Sequence, residues 1–150
     1  MELKKILAGL EGLKVKGSLD LDVNKIEYDS EEINSGDMFV AIRGFEKDGH
    51  DFILDSISKG AKVILADLNI NREIIKQIPN GVTIVLAENT RKALAICACN
   101  FYKNPSKKVK LIGVTGTKGK TTTAFMIKSI LEKEGKKVRI NWNNCILFRK

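Results

Sequence analysis

The chain has 150 residues, 43% of them hydrophobic, which is enough to bury one core or two small ones. No apolar stretch approaches the roughly 20 residues of a membrane span, and the N-terminus lacks the apolar core of a signal peptide, so we expect a cytoplasmic protein without a membrane partner. The formal net charge is +8, but the basic residues are scattered and no aromatic residues are interleaved with them, so we expect a solvated lysine-rich surface and no nucleic-acid partner.

The first two thirds of the chain alternate between strand and helix patterns. Strand patterns lie at residues 13–15, 23–26, 38–42, 61–66 and 82–86. Helical patterns lie at residues 1–7, at residues 52–57, and in a segment that runs to Tyr102 and is capped by Asn89 or Thr90. The helical pattern between the third and fourth strands is a βαβ signature.

The three cysteines do not point to a metal or redox site. Their number is odd and they show no paired metal-ligand spacing, so neither a disulfide framework nor a zinc site is expected. Cys97 and Cys99 fall within the helix that runs to Tyr102, where we expect them to act as small apolar residues.

The segment Asn104-Pro105-Ser106 breaks the chain and marks a domain boundary. We predict a first domain at residues 1–106 and the incomplete start of a second at residues 107–140, because a doubly wound sheet needs more strands than this stretch supplies. The tail at residues 141–150 shows no glycine turn or period and is predicted to lack regular structure. The fold class is therefore α/β, with a small mixed α/β domain followed by the truncated start of a P-loop-type doubly wound domain.

The most informative motif is residues 113–123, which read Gly-Val-Thr-Gly-Thr-Lys-Gly-Lys-Thr-Thr-Thr between an apolar run and a helical pattern. A strand that leads into a glycine loop, with a lysine and hydroxyls at a helix start, is the usual way to hold a triphosphate. Backbone N–H groups close around the phosphate oxygens, Lys120 supplies a positive charge, and Thr121 or Thr122 can hold Mg²⁺. The motif therefore predicts binding of ATP and Mg²⁺.

The general P-loop pattern has a glycine where Val114 stands, so the match is to a shorter form of the loop. The residues expected to bind ATP are Gly116, Thr117, Lys118, Gly119, Lys120, Thr121 and Thr122. A basic turn before a solvated helix is the alternative interpretation.

Two groups of segments resemble the Mur ligase family. Residues 28–44, together with 47–53 and 59–61, closely resemble the N-terminal substrate domain of that family. The loop at residues 116–122, together with the preceding residues 89–94 and 101–106, looks like the family's approach to its ATP site. The two groups occur in order, and the resemblance covers residues 22–138.

Within that family the chain is most similar to members that add the third amino acid, diaminopimelate or lysine, to UDP-N-acetylmuramoyl-L-alanyl-D-glutamate in peptidoglycan synthesis. Members that add D-alanyl-D-alanine are the alternative. The resemblance implies that ATP phosphorylates the substrate carboxylate and that the incoming amine displaces phosphate to form an amide. It also implies a catalytic role for Lys120, which would stabilise charge on the transferring phosphoryl group, and a Mg²⁺-ligand role for Thr121.

The resemblance also implies which residues contact the UDP-N-acetylmuramoyl-dipeptide substrate. They form two loops and are Tyr28, Asp29 and Ser30 in the first, and Phe45, Glu46 and Lys47 in the second. The Ser30 hydroxyl can hydrogen-bond uridine or its pyrophosphate, and Lys47 has the charge to assist. Without the family context the same residues are ordinary turns, and His50, the only histidine, is expected to make a hydrogen bond at a helix start.

Two departures from the family pattern shape our expectations. Glu31 stands where the family commonly has arginine, which reverses the charge beside the proposed pyrophosphate contact. After Val138 the sequence departs abruptly from the family pattern, as a truncated or frame-shifted reading frame would. We expect the 150-residue chain alone to be a monomer that does not form the amide bond. A non-catalytic UDP-substrate-binding module and a basic P-loop fragment that binds nucleotides or nucleic acid non-specifically are the remaining alternatives.

Overall fold

The structure, a computed structural model, describes residues 1–45 and 47–141 and the backbone of residues 145–149. The chain divides into two compact units, Met1–Tyr102 and Lys103–Lys150. Both combine helices with a β-sheet, so the predicted α/β fold class is confirmed. Within the part of the chain that the structure describes, none of the helices is both long and apolar enough to cross a membrane.

The first unit contains a five-stranded sheet whose strands are in the order β1-β5-β4-β3-β2. Its strands are β1 Lys14–Lys16, β2 Ile26–Glu27, β3 Met38–Val40, β4 Val63–Asp67 and β5 Thr83–Ala87. Its helices are α1 Leu3–Ile6, α2 Ile53–Ser58, α3 Arg72–Gln77 and α4 Thr90–Phe101, with 3₁₀ turns at Ser30–Glu32 and Gly49–Phe52. Strands β2 to β5 are parallel, and β1 pairs antiparallel with β5.

The central strands are buried on both faces because helices cover both sides of the sheet. Val63 and Leu65 of β4 join a core with α1 and α4 on one face, whereas Ile64 and Ala66 join a core with α2 on the other. Parallel strands of this kind are continuous apolar runs, which is why β4 could be predicted from sequence. The two-sided burial leaves the ends of the strands as the surface where loops can form a site.

Cys97 of α4 is fully buried in the first of these cores. Burial raises the pKa of its thiol to about 11, so the thiol is protonated at neutral pH. This agrees with the expected role as a small apolar residue. Cys99, two residues along the same helix, is exposed.

The second unit has a three-stranded sheet in the order β6-β8-β7. Its elements are β6 Val109–Gly113, α5 Lys120–Lys133, β7 Val138–Asn141 and β8 Cys145–Arg149, preceded by a 3₁₀ turn at Pro105–Lys108. Strand β8 pairs antiparallel with both of its neighbours. The expectation that the tail lacks regular structure is therefore wrong for the segment that forms β8.

Strand β8 forms because of the two strands on either side of it, β6 and β7. β6 and β7 do not pair with each other, so each presents backbone N–H and C=O groups on its facing edge. A strand inserted between them satisfies both rows of groups at once. Residues 146–148 read Ile-Leu-Phe, which suits a strand although no turn signal marks it.

Candidate functional site

The first unit contains an open cleft of about 370 Å³ at the carboxyl ends of β2 and β3. Its walls are formed by Tyr28, Asp29, Ser30, Glu31, Phe39, Ile42, Lys47, Gly49 and Phe52. In open parallel sheets, ligands bind where the loops leave the carboxyl ends of the strands. The structure thus brings four of the six residues expected to bind substrate to one cleft, three from the first loop and Lys47 from the second.

Two hydrogen bonds fix the first loop. The Asp29 carboxylate accepts from the Glu31 backbone N–H at 2.9 Å and so caps the 3₁₀ turn that follows. The ammonium of Lys59, at the end of α2, donates to the Ser30 carbonyl at 3.0 Å and also pairs with Asp55 at 2.8 Å. Ser30 is buried, whereas the Tyr28 side chain is 67% exposed and available to a ligand.

The second loop is a closed hairpin that runs from Ile42 to Gly49. The Gly44 N–H donates to the Lys47 carbonyl and the Gly49 N–H donates to the Ile42 carbonyl, both at 2.9 Å. A Cβ at Gly49 would lie 2.6 Å from the Ile42 nitrogen, so only glycine fits this approach. Phe45 is fully exposed at the tip and does not line the cleft, and Glu46 lies outside the described residues.

His50 is the second residue of the 3₁₀ turn Gly49–Phe52 and is buried. Its backbone N–H donates to Asp48 Oδ1 at 3.0 Å, which is the helix-start hydrogen bond expected from the sequence. Its ring also contacts Asp48 Oδ1 through Nδ1 at 2.5 Å and accepts from the Asp67 N–H through Nε2 at 3.0 Å. This link to Asp67 could not be predicted from the sequence, because no local signal joins residues so far apart in the chain.

The pKa of Asp48 reflects this environment. Burial opposes ionisation of the carboxyl, but the hydrogen bonds from the His50 backbone and ring, together with the charge of Arg43, outweigh it and lower the pKa. Asp48 is therefore an anion at neutral pH and a strong acceptor for both donors.

The cleft combines a charged side chain with aromatic and polar groups. Lys47 offers a cation, Tyr28 offers an aromatic face, and the Ser30 hydroxyl offers a donor and an acceptor. Glu31 also lines the cleft, so the departure from the family pattern places a carboxylate at the wall. Such a set can bind an anionic group that also carries a planar ring and hydroxyls.

The expected phosphate loop of the second unit joins β6 to α5. Gly119 is the N-cap of α5 with a φ of +76°, a left-handed conformation that favours glycine, and Lys120 is the first helical residue. The Lys120 ammonium donates to the Gly116 carbonyl at 2.7 Å, so it lies over the loop. A Cβ at Gly116 would lie 3.6 Å from the Lys118 carbonyl oxygen. The hydrogen bond from Lys120 to Gly116 therefore closes the loop between these two residues.

The composition of this loop fits a phosphate ligand. The first turn of α5 contains no acidic side chain, and Thr117, Lys118, Thr121 and Thr122 are exposed to solvent. A helix N-terminus without acidic side chains and with two lysines beside it attracts anions. The described residues contain no group of three or more His, Cys, Asp or Glu side chains that could hold a metal ion.

Family models match both units. The model described as the Mur ligase family, catalytic domain, matches residues 22–102, and the model of the Mur ligase middle domain matches residues 114–145. The first of these matches covers more than half of the chain.

Curated relatives and solved structures agree with these matches. The UDP-N-acetylmuramoyl-L-alanyl-D-glutamate--2,6-diaminopimelate ligase of Clostridium tetani is 49% identical over 92% of this chain and 28% of its own length. The protein of the same name from Clostridium perfringens is 47% identical over 90% of this chain and 27% of its own length. A crystal structure of MurF from Acinetobacter baumannii superposes with a TM-score of 0.55 at 25% identity, covering 88% of this chain and 27% of that one. The chain thus spans little more than a quarter of the relatives that it matches.

Proposed function

Because the chain belongs to the Mur ligase family, we propose that it carries the substrate-binding and ATP-binding loops of a ligase that adds diaminopimelate to UDP-N-acetylmuramoyl-L-alanyl-D-glutamate. The curated relatives that bear this name support the choice of substrate. In this proposal residues 1–106 bind the UDP-linked dipeptide and residues 107–140 begin the ATP-binding domain.

The observation that carries the proposal is the convergence of the two loops on one cleft. Tyr28, Ser30 and Lys47 all line one space of about 370 Å³. A UDP-linked sugar offers a planar base, ribose hydroxyls and a pyrophosphate, which match the aromatic ring, the hydroxyl and the ammonium. We assign the pyrophosphate to Lys47, since it is the lysine that lines the cleft among the described residues.

In the second unit, we assign the phosphates of ATP to the loop at residues 116–122. Lys120 would neutralise charge that develops on the transferring phosphoryl group, and the loop amides would orient it. The Thr121 hydroxyl would supply one ligand to Mg²⁺, which when bound neutralises charge on the phosphate oxygens. The hydrogen bond from the Lys120 ammonium to the Gly116 carbonyl, which holds the ammonium over the loop, supports this assignment.

The proposed reaction has two steps. The substrate carboxylate attacks the terminal phosphorus of ATP, which forms an acyl phosphate and releases ADP. The amine of diaminopimelate then attacks the acyl carbon, and phosphate leaves and the amine loses a proton as the amide forms. Catalysis of this kind consists of orientation and charge neutralisation, so none of the loop residues needs to act as a nucleophile.

A stand-alone binding module is a second candidate. The first unit has its own sheet with cores on both faces, so it has the means to fold and bind without the second unit. In that case the UDP-linked dipeptide binds with the same affinity whether or not ATP is present.

Calorimetric titration of the 150-residue protein with UDP-N-acetylmuramoyl-L-alanyl-D-glutamate tests the proposed function. We expect binding to the wild type and an affinity about tenfold lower for Lys47→Ala, because a charge-assisted hydrogen bond to the pyrophosphate is lost. Lys62→Ala is the matched control. Lys62 is exposed and directly precedes β4, whereas the cleft lies at the carboxyl ends of β2 and β3, which run parallel to β4. Absence of binding by the wild type, or an equal loss in both variants, would contradict the proposal.

A further inference from the structure

The hydrogen bonds of His50 assign the tautomer of its buried ring. The ring is 6% exposed and both of its nitrogens have partners. The Asp67 backbone N–H can only donate, so Nε2 must be the acceptor, and Nδ1 therefore carries the hydrogen and donates to Asp48. A neutral imidazole in this tautomer satisfies both contacts at once.

Asp48 connects this ring to the hairpin. Its Oδ1 accepts from the backbone and the ring of His50, while its Oδ2 pairs with Arg43 Nε at 3.5 Å on the other side of the hairpin. The Arg43 carbonyl in turn accepts from Arg91 of α4 at 2.7 Å. The hairpin is therefore fixed at both of its strands, at Asp48 by the His50 ring and at Arg43 by Arg91 of α4.

The hairpin connects these contacts to the cleft. Gly49 and Lys47 line the cleft, whereas His50, although it adjoins Gly49 in sequence, is not among the residues that line it. Asp67, which donates to the ring, is the last residue of β4. His50 thus connects the end of β4 to the hairpin that carries Lys47, and it does not itself line the cleft.

We propose that His50 is a positioning residue that ties Asp48, and with it the hairpin that carries Lys47, to the carboxyl end of β4. The hydrogen bond between His50 and Asp67 keeps the hairpin, and with it Lys47, at the cleft before a ligand binds. Binding therefore costs less conformational entropy of the hairpin. This inference rests on the proposed function, because it assumes that the cleft binds the UDP-linked dipeptide.

A double-mutant cycle tests the proposal. In His50→Asn, the amide can still donate to Asp48 but is too short to accept from Asp67, so the tie to β4 is cut. We expect this change to lower the affinity for UDP-N-acetylmuramoyl-L-alanyl-D-glutamate about tenfold in the wild-type background and less than about twofold in the Lys47→Ala background. A purely structural role predicts the same loss in both backgrounds, and that result would overturn the proposal, as would an unchanged affinity of His50→Asn.

Nuclear magnetic resonance of the wild type supplies a test that does not depend on how well the variant folds. Ring ¹⁵N shifts distinguish the two neutral tautomers, and we expect the Nδ1–H form in the free protein and with the substrate bound. The Nε2–H form, or a change of tautomer on binding, would overturn the assignment. Failure of the wild type to bind the substrate refutes the proposed function, whereas wild-type binding with an unaltered His50→Asn affinity refutes the positioning role alone.

Discussion

Cys97 shows how a single buried group links the core to the pH dependence of folding. Its thiol has a pKa of about 11 in the folded protein because burial disfavours the thiolate, against an ordinary value of 9.0. Between these two pH values the unfolded chain has released the proton and the folded chain has kept it. The unfolded state then binds fewer protons, so the free energy of unfolding falls as the pH rises.

We expect the free energy of unfolding to fall by about 2 to 3 kcal/mol between pH 9 and pH 11 on account of this thiol. Cys97→Ala removes that part of the slope, although the cavity that it leaves lowers stability at every pH. Cys99→Ala is the matched control, because Cys99 lies on the same helix and is exposed in the folded protein. Urea unfolding of the three proteins at intervals across this range measures the difference, and equal slopes for wild type and Cys97→Ala would contradict it.

A single side chain, that of Asn89, caps the beginning of helix α4. The sequence allowed either Asn89 or Thr90 to cap α4, and the structure assigns the cap to Asn89, whose Oδ1 accepts from the Lys92 N–H at 2.9 Å. Thr90 is the first helical residue and is nearly buried. The cap satisfies an N–H that has no partner within the helix.

Replacement of Asn89 by alanine is expected to lower the free energy of unfolding by about 1 kcal/mol, because that donor loses its acceptor. Asn89→Asp is the matched control, since a carboxylate keeps the acceptor and interacts favourably with the helix dipole. Chemical unfolding followed by circular dichroism measures both variants. If alanine and aspartate proved equally stable, the side-chain cap would not be a determinant of α4.

The elements that the sequence predicts are those with strong local signals. The runs that form β4 and β5 are apolar at nearly every position, and their predicted bounds differ from the observed ones by no more than two residues. α3 is six residues long, and its apolar residues Ile74 and Ile75, which pack half-buried against the core, are too few to show a helical period in the sequence. β8 forms because β6 and β7 leave room for one strand between them, and the sequence of the tail alone does not reveal that arrangement.

The same distinction holds for the candidate site. The two substrate loops could be predicted because a family resemblance covers them, yet the roles of Tyr28, Ser30 and Lys47 remain predictions. The contact between His50 and Asp67 could not be predicted, because it arises only when the end of β4 meets the hairpin. Local patterns therefore indicate candidate ligand contacts, whereas the contacts that hold them in place are tertiary.

At the scale of the whole molecule, the two units bury their apolar side chains unequally. The first unit contains cores on both faces of its sheet. Among the side chains described between residues 103 and 141, Ala124 is the buried apolar one. Leu111, Phe125, Met126 and Ile130 of the same unit are between 56% and 63% exposed. The second unit therefore gains little hydrophobic stabilisation from its own packing.

This difference predicts unequal local stability along the chain. Helices α4 and α5 have similar lengths, 12 and 14 residues, but α4 contributes to a core and α5 exposes most of its large apolar residues. We expect the backbone amides of α5 to exchange with deuterium at least about tenfold faster than those of α4, because segments with few buried contacts open at a lower free energy. Hydrogen exchange of the 150-residue protein, followed by mass spectrometry, compares the two helices within one molecule. Equal protection would mean that the apolar face of α5 is covered in solution, and sedimentation at two concentrations would then reveal whether a second copy covers it.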